Sequence, residues 1–413
     1  SRSASTTPPG PASDDHRLTT VVVGRGRELE LLDAALAEVA AGDRRSVFVS
    51  GGVGSGKSTL IAEFLERQDH LDDYLVAQGR CIQARGSVEP YFCLFDALGQ
   101  LARSAPELVR DTLDQVAPSW LAQIPALIDD AVSERLERRL LGSTAPRMLR
   151  EGADAFEALS RRHPLLLIVE DLQWADHLTL DVIDLLLQRA DAAPLLLLGT
   201  ARAGNAPLRT VIAPATAAGR ATEIELTALD HEAIGSLVAD RLQTTEVPDE
   251  LVQIVTDRCD GVPLFAEEIV SSWVRNGQVL VGDDGVAVAA TPAELGAAVP
   301  QTLPPLIERA LVELAPDELA VLEACAVAGE TFDAASVAAG LERTVPATET
   351  VLAPIARERG LVVATGARSW PDNTMSASYE FTHRLYRQVI YDRIPANQRA
   401  LLHGRIGLGL ERG

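Results

Sequence analysis

The chain has 413 residues, 47% hydrophobic and 23% charged, which is the balance of a folded globular protein long enough for two to four domains. Its 59 acids and 37 bases leave a net charge of −22, which excludes a chain whose main business is holding DNA or RNA, since phosphate binding needs a basic face. A single lysine, Lys57, stands among the 37 bases, and all the others are arginine.

Residues 1–20 are rich in Ser, Thr, Pro and Asp and read as a linker, with neither core-forming content nor the apolar stretch of a signal peptide. That start, without methionine, predicts further sequence upstream, and the abrupt end predicts more downstream. The longest apolar runs, Leu165–Val169 and Pro194–Leu198, are strand-sized, so no membrane span is expected. Cys81, Cys93, Cys259 and Cys325 lack CxxC spacing and read as reduced thiols of a cytoplasmic protein.

From Val21 to Leu226, short β-rich runs alternate with amphipathic helical stretches, the pattern of an α/β domain. The predicted strands are Ser46–Ser50, Tyr74–Gly79, Leu165–Glu170, Leu195–Thr200 and Ala221–Leu226, with a long helical stretch over Phe92–Leu159. Asp230–Val274 reads as helical, interrupted by Gly261-Val262-Pro263, and the polar segment Gly282–Pro292 reads as a boundary. Beyond it, Leu303–Leu410 reads as helices with one hairpin, Leu361–Ala364 pairing with Ser378–Phe381. The expected units are therefore a linker at 1–20, a nucleotide-binding domain at 21–228, a helical subdomain at 229–290 and a last domain at 291–413.

Gly51-Gly52-Val53-Gly54-Ser55-Gly56-Lys57-Ser58 satisfies GxxxxGK[ST] between a predicted strand and a helix starting at Thr59. Glycines let successive backbone N–H groups turn inward on phosphates, the helix N-terminus adds positive potential, Lys57 reaches the β/γ oxygens, and Ser58 ligates Mg²⁺. Arginine elsewhere reflects base composition; at position 57 a compact ammonium fits where a planar fork would not. The strand Leu165–Val169 delivers Glu170 and Asp171 at its carboxyl end, one acid to hold Mg²⁺ and one to polarise the attacking water. Which acid takes which role is open. Gln173-Trp174-Ala175-Asp176 reads as a helix start, with Asp176 a cap and Trp174 a packing residue. A third strand ends in Gly199-Thr200-Ala201-Arg202, which places Arg202 to report a γ-phosphate.

The run Val23-Gly24-Arg25-Gly26-Arg27-Glu28-Leu29, the glycine loop, EDLQWAD, GTAR and Gly261-Val262-Pro263-Leu264 together resemble the STAND class of AAA+-related signalling ATPases. More narrowly, they are similar to the nucleotide module of actinobacterial transcriptional activators, the large antibiotic regulatory proteins and large ATP-binding LuxR-type regulators. The resemblance implies an α/β P-loop NTPase fold with an ASCE/AAA+-like parallel sheet, then a helical lid and a winged-helix domain. It implies a slow regulatory ATPase that uses ATP/ADP and Mg²⁺ and forms a homo-oligomer when ATP-bound. Val23, Gly24 and Arg25 would wrap the adenine, Gly52–Thr59 (Gly52, Val53, Gly54, Ser55, Gly56, Lys57, Ser58, Thr59) the phosphates, and Pro263 the base and ribose. Arg202 would act as sensor, Ser58 and Glu170 would serve the metal, and Phe381-Thr382-His383 would bring His383 to the β-phosphate of ADP. For His383 a capping place at the start of the following helix is an equally open reading.

The arginine-rich end from His383 onward reads as a solvated surface or a docking face for a downstream helical repeat. DNA binding is expected from a domain outside the chain, upstream as in the antibiotic regulatory proteins. The competing expectation is a mechanical AAA+ loader acting on nucleic acid.

Overall fold

The computed structural model describes residues 22–82, 89–128, 136, 144–282, 285–297, 307–308, 311–312, 314–369 and 375–412. The expected linker at 1–20, and parts of the helical stretches over Phe92–Leu159 and Leu303–Leu410, lie outside them.

The first helix, α1 (Gly26–Ala40), precedes strand β1 (Arg44–Gly51) and helix α2 (Lys57–Glu66). Then come β2 (Leu75–Arg80), α3 (Phe92–Ser104), α4 (Pro106–Val116), α5 (Ala145–Arg162), β3 (Leu165–Glu170) and α6 (His177–Gln188). Strand β4 (Leu195–Ala201), α7 (Ala206–Ala217) and β5 (Ala221–Leu226) complete a five-stranded sheet in the order β2-β3-β4-β1-β5. Every pairing in this sheet is parallel.

A parallel sheet needs crossover helices, and these cover both faces, so the inner strands β3 and β4 are buried at every position and read as near-continuous apolar runs. In β3, Leu165, Leu167 and Val169 pack toward α3, α5 and α6, while Leu166 and Ile168 pack toward α1 and α2. Register follows from this division, because a one-residue slip would exchange the two faces. Strand β4 lies between the strand feeding the glycine loop and the strand ending in the two acids. The connection leaving β1 runs over the α1/α2 face to the edge strand β2, whereas the connection leaving β4 runs the other way over the opposite face, and the crevice at the carboxyl ends of two such neighbouring strands is where ligands bind in open α/β sheets.

Helices α8 (His231–Arg241), α9 (Asp249–Cys259) and α10 (Pro263–Arg275) follow, then a two-stranded antiparallel ribbon of β6 (Val279–Gly282) and β7 (Gly285–Val288). The polar segment expected to be a boundary thus contributes a strand of its own; alternation is too short there to signal one. Past a short helix at Pro292–Ala297 come α11 (Pro316–Ala328), β8 (Thr331–Asp333), α12 (Ala334–Leu341), α13 (Val345–Pro354), β9 (Val362–Ser369), β10 (Met375–Phe381), α14 (Arg384–Arg393) and α15 (Ala396–Arg412). Strands β9 and β10 pair antiparallel with Val363 opposite Glu380, the expected hairpin, and β8 adds a third strand on the far side of β10. One apolar cluster runs without a break from Leu229 in the turn before α8 to Ile406 in α15.

Candidate nucleotide site

The glycine loop leaves β1 at Gly51 and enters α2 at Lys57. Gly54 and Gly56 have φ of +76° and +91°, left-handed values that only glycine adopts without strain, and they turn the loop into the α2 N-terminus. A cavity of ≈390 Å³ opens against this loop, lined by Val53, Gly54, Gly56, Lys57, Ser58 and Thr59 on one wall. Asp171 and Arg202 face it from the ends of the neighbouring strands, and Pro263 closes it from the first turn of α10. The expected loop, strand-end and lid residues therefore converge on one space.

Lys57 Nζ donates to the carbonyls of Gly51 (2.9 Å) and Gly52 (2.8 Å). Burial pushes its pKa down to about 8, with Asp171 opposing the shift and Arg202 adding to it. Ser58 Oγ donates to Glu170 Oε2 at 2.7 Å, and Gln78 Nε2 donates to Oε1 of the same carboxylate at 2.8 Å. Asp171 sits differently. Its backbone is left-handed (φ +57°), its N–H donates to Thr200 Oγ1, and its carboxylate accepts from Arg80 Nε at 2.7 Å and Gln173 Nε2 at 3.0 Å. The two adjacent acids thus point to different tasks: Glu170 toward the Ser58 hydroxyl, Asp171 toward the open cavity.

Arg202 is held by its strand and by an aromatic face. Its backbone N–H donates to Gln173 Oε1 at 3.1 Å, and its guanidinium carbon lies 5.2 Å from the centre of the Trp174 ring. Gln173 therefore bridges Asp171 and the strand-end arginine. Asp176 accepts from the N–H groups of Leu178 and Thr179 and caps α6.

A small neighbouring cavity, ≈30 Å³, is lined by Val23, Arg25, Ser55, Thr59 and Pro263. Arg25 is 5% exposed and donates to the Thr227 carbonyl at 2.6 Å, which ties the segment before α1 to the end of β5. Gly24 makes the turn there, and a Cβ on it would sit 2.6 Å from Ala233 Cβ. The lid reaches the loop directly, since Leu264 N–H donates to the Gly54 carbonyl at 3.3 Å.

His383 is not among the residues that line this cavity. It caps α14, its Nδ1 accepting the Leu385 N–H at 3.0 Å, and its ring packs edge-on against Phe265 with centroids 4.5 Å apart. Its Nε2 stands 3.4 Å from Asp260 Oδ2 in the lid turn, and burial holds the imidazole below its ordinary pKa against the pull of that carboxylate. Phe265 of α10 and Asp260 are its neighbours there, a placement that sequence spacing does not reveal. Arg80, Gln173, Trp174, Leu264 and Glu267 also line the cavity and were not singled out from sequence as site residues. Gln173 and Trp174 lie inside the EDLQWAD run, and Arg80 is the first charge at the end of its strand, so both were marked by position if not by type. Burial raises the Glu267 carboxyl above its usual range.

Residues 21–198 match the family model of the AAA ATPase domain. The chain is 25% identical over 421 residues to the uncharacterized protein R02095 of Rhizobium meliloti (strain 1021), a match covering 94% of this chain and 37% of that protein. It therefore spans little more than a third of the curated relative's length. Among solved structures it resembles the Walker-type ATPase PABY2304 of Pyrococcus abyssi, with a TM-score of 0.56 at 15% identity over 89% of this chain and 96% of that one. It also resembles the ORC2 protein of Aeropyrum pernix in ADPNP-ADP complexes, with a TM-score of 0.51 at 16% identity over 97% and 98%. At such identities the likeness is one of fold. The family match and the parallel five-stranded sheet thus agree on a AAA ATPase-like, nucleotide-binding fold for residues 21–198.

The residues present fit a nucleotide with Mg²⁺. Ser55 Oγ is buried without a partner at the inner edge of the loop, where a further donor or acceptor is called for. Ser58 and Glu170 supply hard oxygen ligands, few in number, as suits an ion that keeps waters and shares a phosphate. Among the described residues no cluster of three or more His, Cys, Asp or Glu could form a dedicated metal cage, and no helix is long and apolar enough to cross a membrane.

Proposed function

We propose that the chain is the nucleotide switch of a larger regulator, a STAND-type module that holds ADP in a closed monomer, exchanges it for ATP, assembles, and resets by slow hydrolysis. The observation that carries this reading is the double contact of the lid turn Asp260–Pro263 and its helix. On one side Leu264 bonds the glycine loop. On the other, Asp260 and Phe265 meet His383 at the start of α14. A change in the phosphates held by the loop is thus mechanically linked to the packing of the C-terminal segment, and a switch requires two conformers with different affinity for the two nucleotides.

In this reading Val23, Gly24, Arg25 and Pro263 enclose the base. The loop N–H groups and Lys57 hold the phosphates, while Ser58 and Glu170 position Mg²⁺, which supplies charge neutralisation on the transferring phosphoryl. Asp171 orients the attacking water once its carboxylate leaves Arg80, and Arg202, stacked on Trp174, meets the γ-phosphate. His383 serves as the latch on the lid turn instead of a phosphate ligand. The motif resemblance supports a transcriptional activator of secondary metabolism as the larger protein, with DNA contact made by a part outside this chain.

Size-exclusion chromatography with ADP, ATP and a slowly hydrolysed analogue tests this together with steady-state turnover. The expected result is a monomer with ADP, a larger assembly with the analogue, and turnover below about one per second. A ring of constant size in all three, turning over at roughly tens per second, would instead describe a mechanical AAA+ machine.

A further inference from the structure

A second large cavity lies away from the glycine loop, ≈420 Å³ between α9 and α14, and it shares no lining residue with the nucleotide site. Two guanidiniums face it, Arg258 from the last turn of α9 and Arg384 from the first position of α14. Arg258 is 7% exposed, and its Nη1 donates to the Leu295 carbonyl. Burial and then the charge of Arg384 hold the Arg258 guanidinium below its usual pKa, so the two cations are near enough to repel. Arg384 is exposed. The acid at the rim, Asp257, is also exposed, and its Oδ1 accepts from Gln253 Nε2 at 2.8 Å.

Two guanidiniums lining one cavity offer an anionic head charge-assisted hydrogen bonds, which are roughly twice as strong as neutral ones. The ten-residue α14 adds the positive end of its dipole in the same direction. Ile254, Pro292 and Leu385 add apolar surface to the same lining, and Gln388 stands one turn along α14 from Arg384. In a chain of net charge −22, two guanidiniums and a helix N-terminus in one concave lining that is mostly polar, with an apolar part, favour an anion with an apolar body.

We propose that this cavity is a second binding site, taking a small organic anion whose phosphate or carboxylate head lies between Arg258 and Arg384 and whose apolar body rests on Ile254, Pro292 and Leu385. A ligand there ties α9 to α14. Helix α9 ends one residue before Asp260, and α14 begins one residue after His383, so the ligand braces the latch between them. It acts as an effector that slows nucleotide release, a consequence that rests on the switch proposed above, whereas the site itself does not.

Isothermal titration of the 413-residue chain with phenyl phosphate, benzoate and inorganic phosphate at fixed ionic strength tests the site. The wild type is compared with Lys57→Ala and Arg384→Gln. Phenyl phosphate or benzoate should bind wild type and Lys57→Ala alike, and Arg384→Gln should weaken that binding about tenfold, the loss of one charge-assisted bond. Arg384→Lys should restore most of it, and an unchanged melting temperature for Arg384→Gln would show that the fold is intact. Preference for phenyl phosphate over benzoate assigns a phosphate head, and the reverse a carboxylate. No binding of any probe up to about 10 mM would overturn the site. So would binding that disappears in Lys57→Ala, which belongs to the glycine loop, or binding indifferent to Arg384→Gln. Release of a fluorescent ADP, measured with the bound probe, reads the coupling separately. Slower release supports the effector role, and unchanged release with intact binding keeps the site while removing that role.

Discussion

The solitary lysine allows the electrostatics of the nucleotide site to be measured directly. Burial holds Lys57 at about 8, far below the usual lysine value, because its ammonium gives up water within the loop; Asp171 recovers part of that loss and Arg202 deepens it. A bound phosphate group restores the charge, so binding above pH 8 must take up a proton, and affinity falls as pH rises. With a free-protein pKa of about 8, the charged fraction is ~0.76 at pH 7.5 and ~0.03 at pH 9.5, a roughly 25-fold loss of affinity; a lysine titrating at about 10.4 would lose only ~1.1-fold. Beginning at pH 7.5 keeps the terminal phosphate of the nucleotide ionised throughout. Reductive methylation with ¹³C-formaldehyde places one labelled lysine in the chain, and comparison with Lys57→Ala separates it from the N-terminal amine. Its chemical shift gives the pKa, and a fluorescent ADP titrated with chelator present gives the affinity without metal. A lysine signal titrating near 10.4, or affinity that is flat from pH 7.5 to 9.5, would refute the reasoning.

Three further outcomes follow from the geometry. Glu170→Gln should raise the Mg²⁺ concentration needed for turnover about tenfold, because it weakens the carboxylate beside Ser58, whereas Asp171→Asn should cut turnover about 100-fold with nucleotide affinity nearly unchanged. Identical kinetic profiles for the two variants would mean that the acids share one task. Gly54→Ala puts a methyl 2.8 Å from Leu264 Cβ on a backbone at φ +76°. A left-handed alanine costs about 1 kcal/mol, so the loop and lid should part and ADP should dissociate at least about fivefold faster; an unchanged rate in stopped-flow fluorescence would show that the lid contact does not hold the nucleotide. Finally, the His383 pKa is lower folded than unfolded, so as pH falls the unfolded chain takes the proton first. The stability contributed by the neutral, capped imidazole is therefore present above about pH 6.5 and lost below it. His383→Asn keeps a capping side chain without the titration, and its melting temperature should fall less than that of the wild type between pH 7 and pH 5; equal slopes would remove His383 from that loss.

A strand buried on both faces announces itself, and Leu165–Glu170 could be bounded to the residue because an apolar run of that length leaves few alternatives to a covered parallel sheet. The glycine loop was equally legible: its residue types are dictated by local backbone geometry and by the one ammonium that fits between phosphates. Local chemistry of this kind is written in consecutive residues. What consecutive residues do not encode is which distant groups meet. Glu170 and Asp171 were indistinguishable in sequence, and only the packing of β2 beside β3 placed Gln78 on the first and Arg80 on the second. His383 was legible as a capping histidine, yet the partners it meets, Asp260 and Phe265, lie more than a hundred positions away. The pairing of Arg258 with Arg384 likewise exists only because α9 and α14 flank one cavity. By itself the sequence determined the central strands and the glycine loop; the tertiary structure decided which partners each acid meets and where the C-terminal segment touches the turn before α10, because those depend on desolvated contacts between residues that no periodicity links.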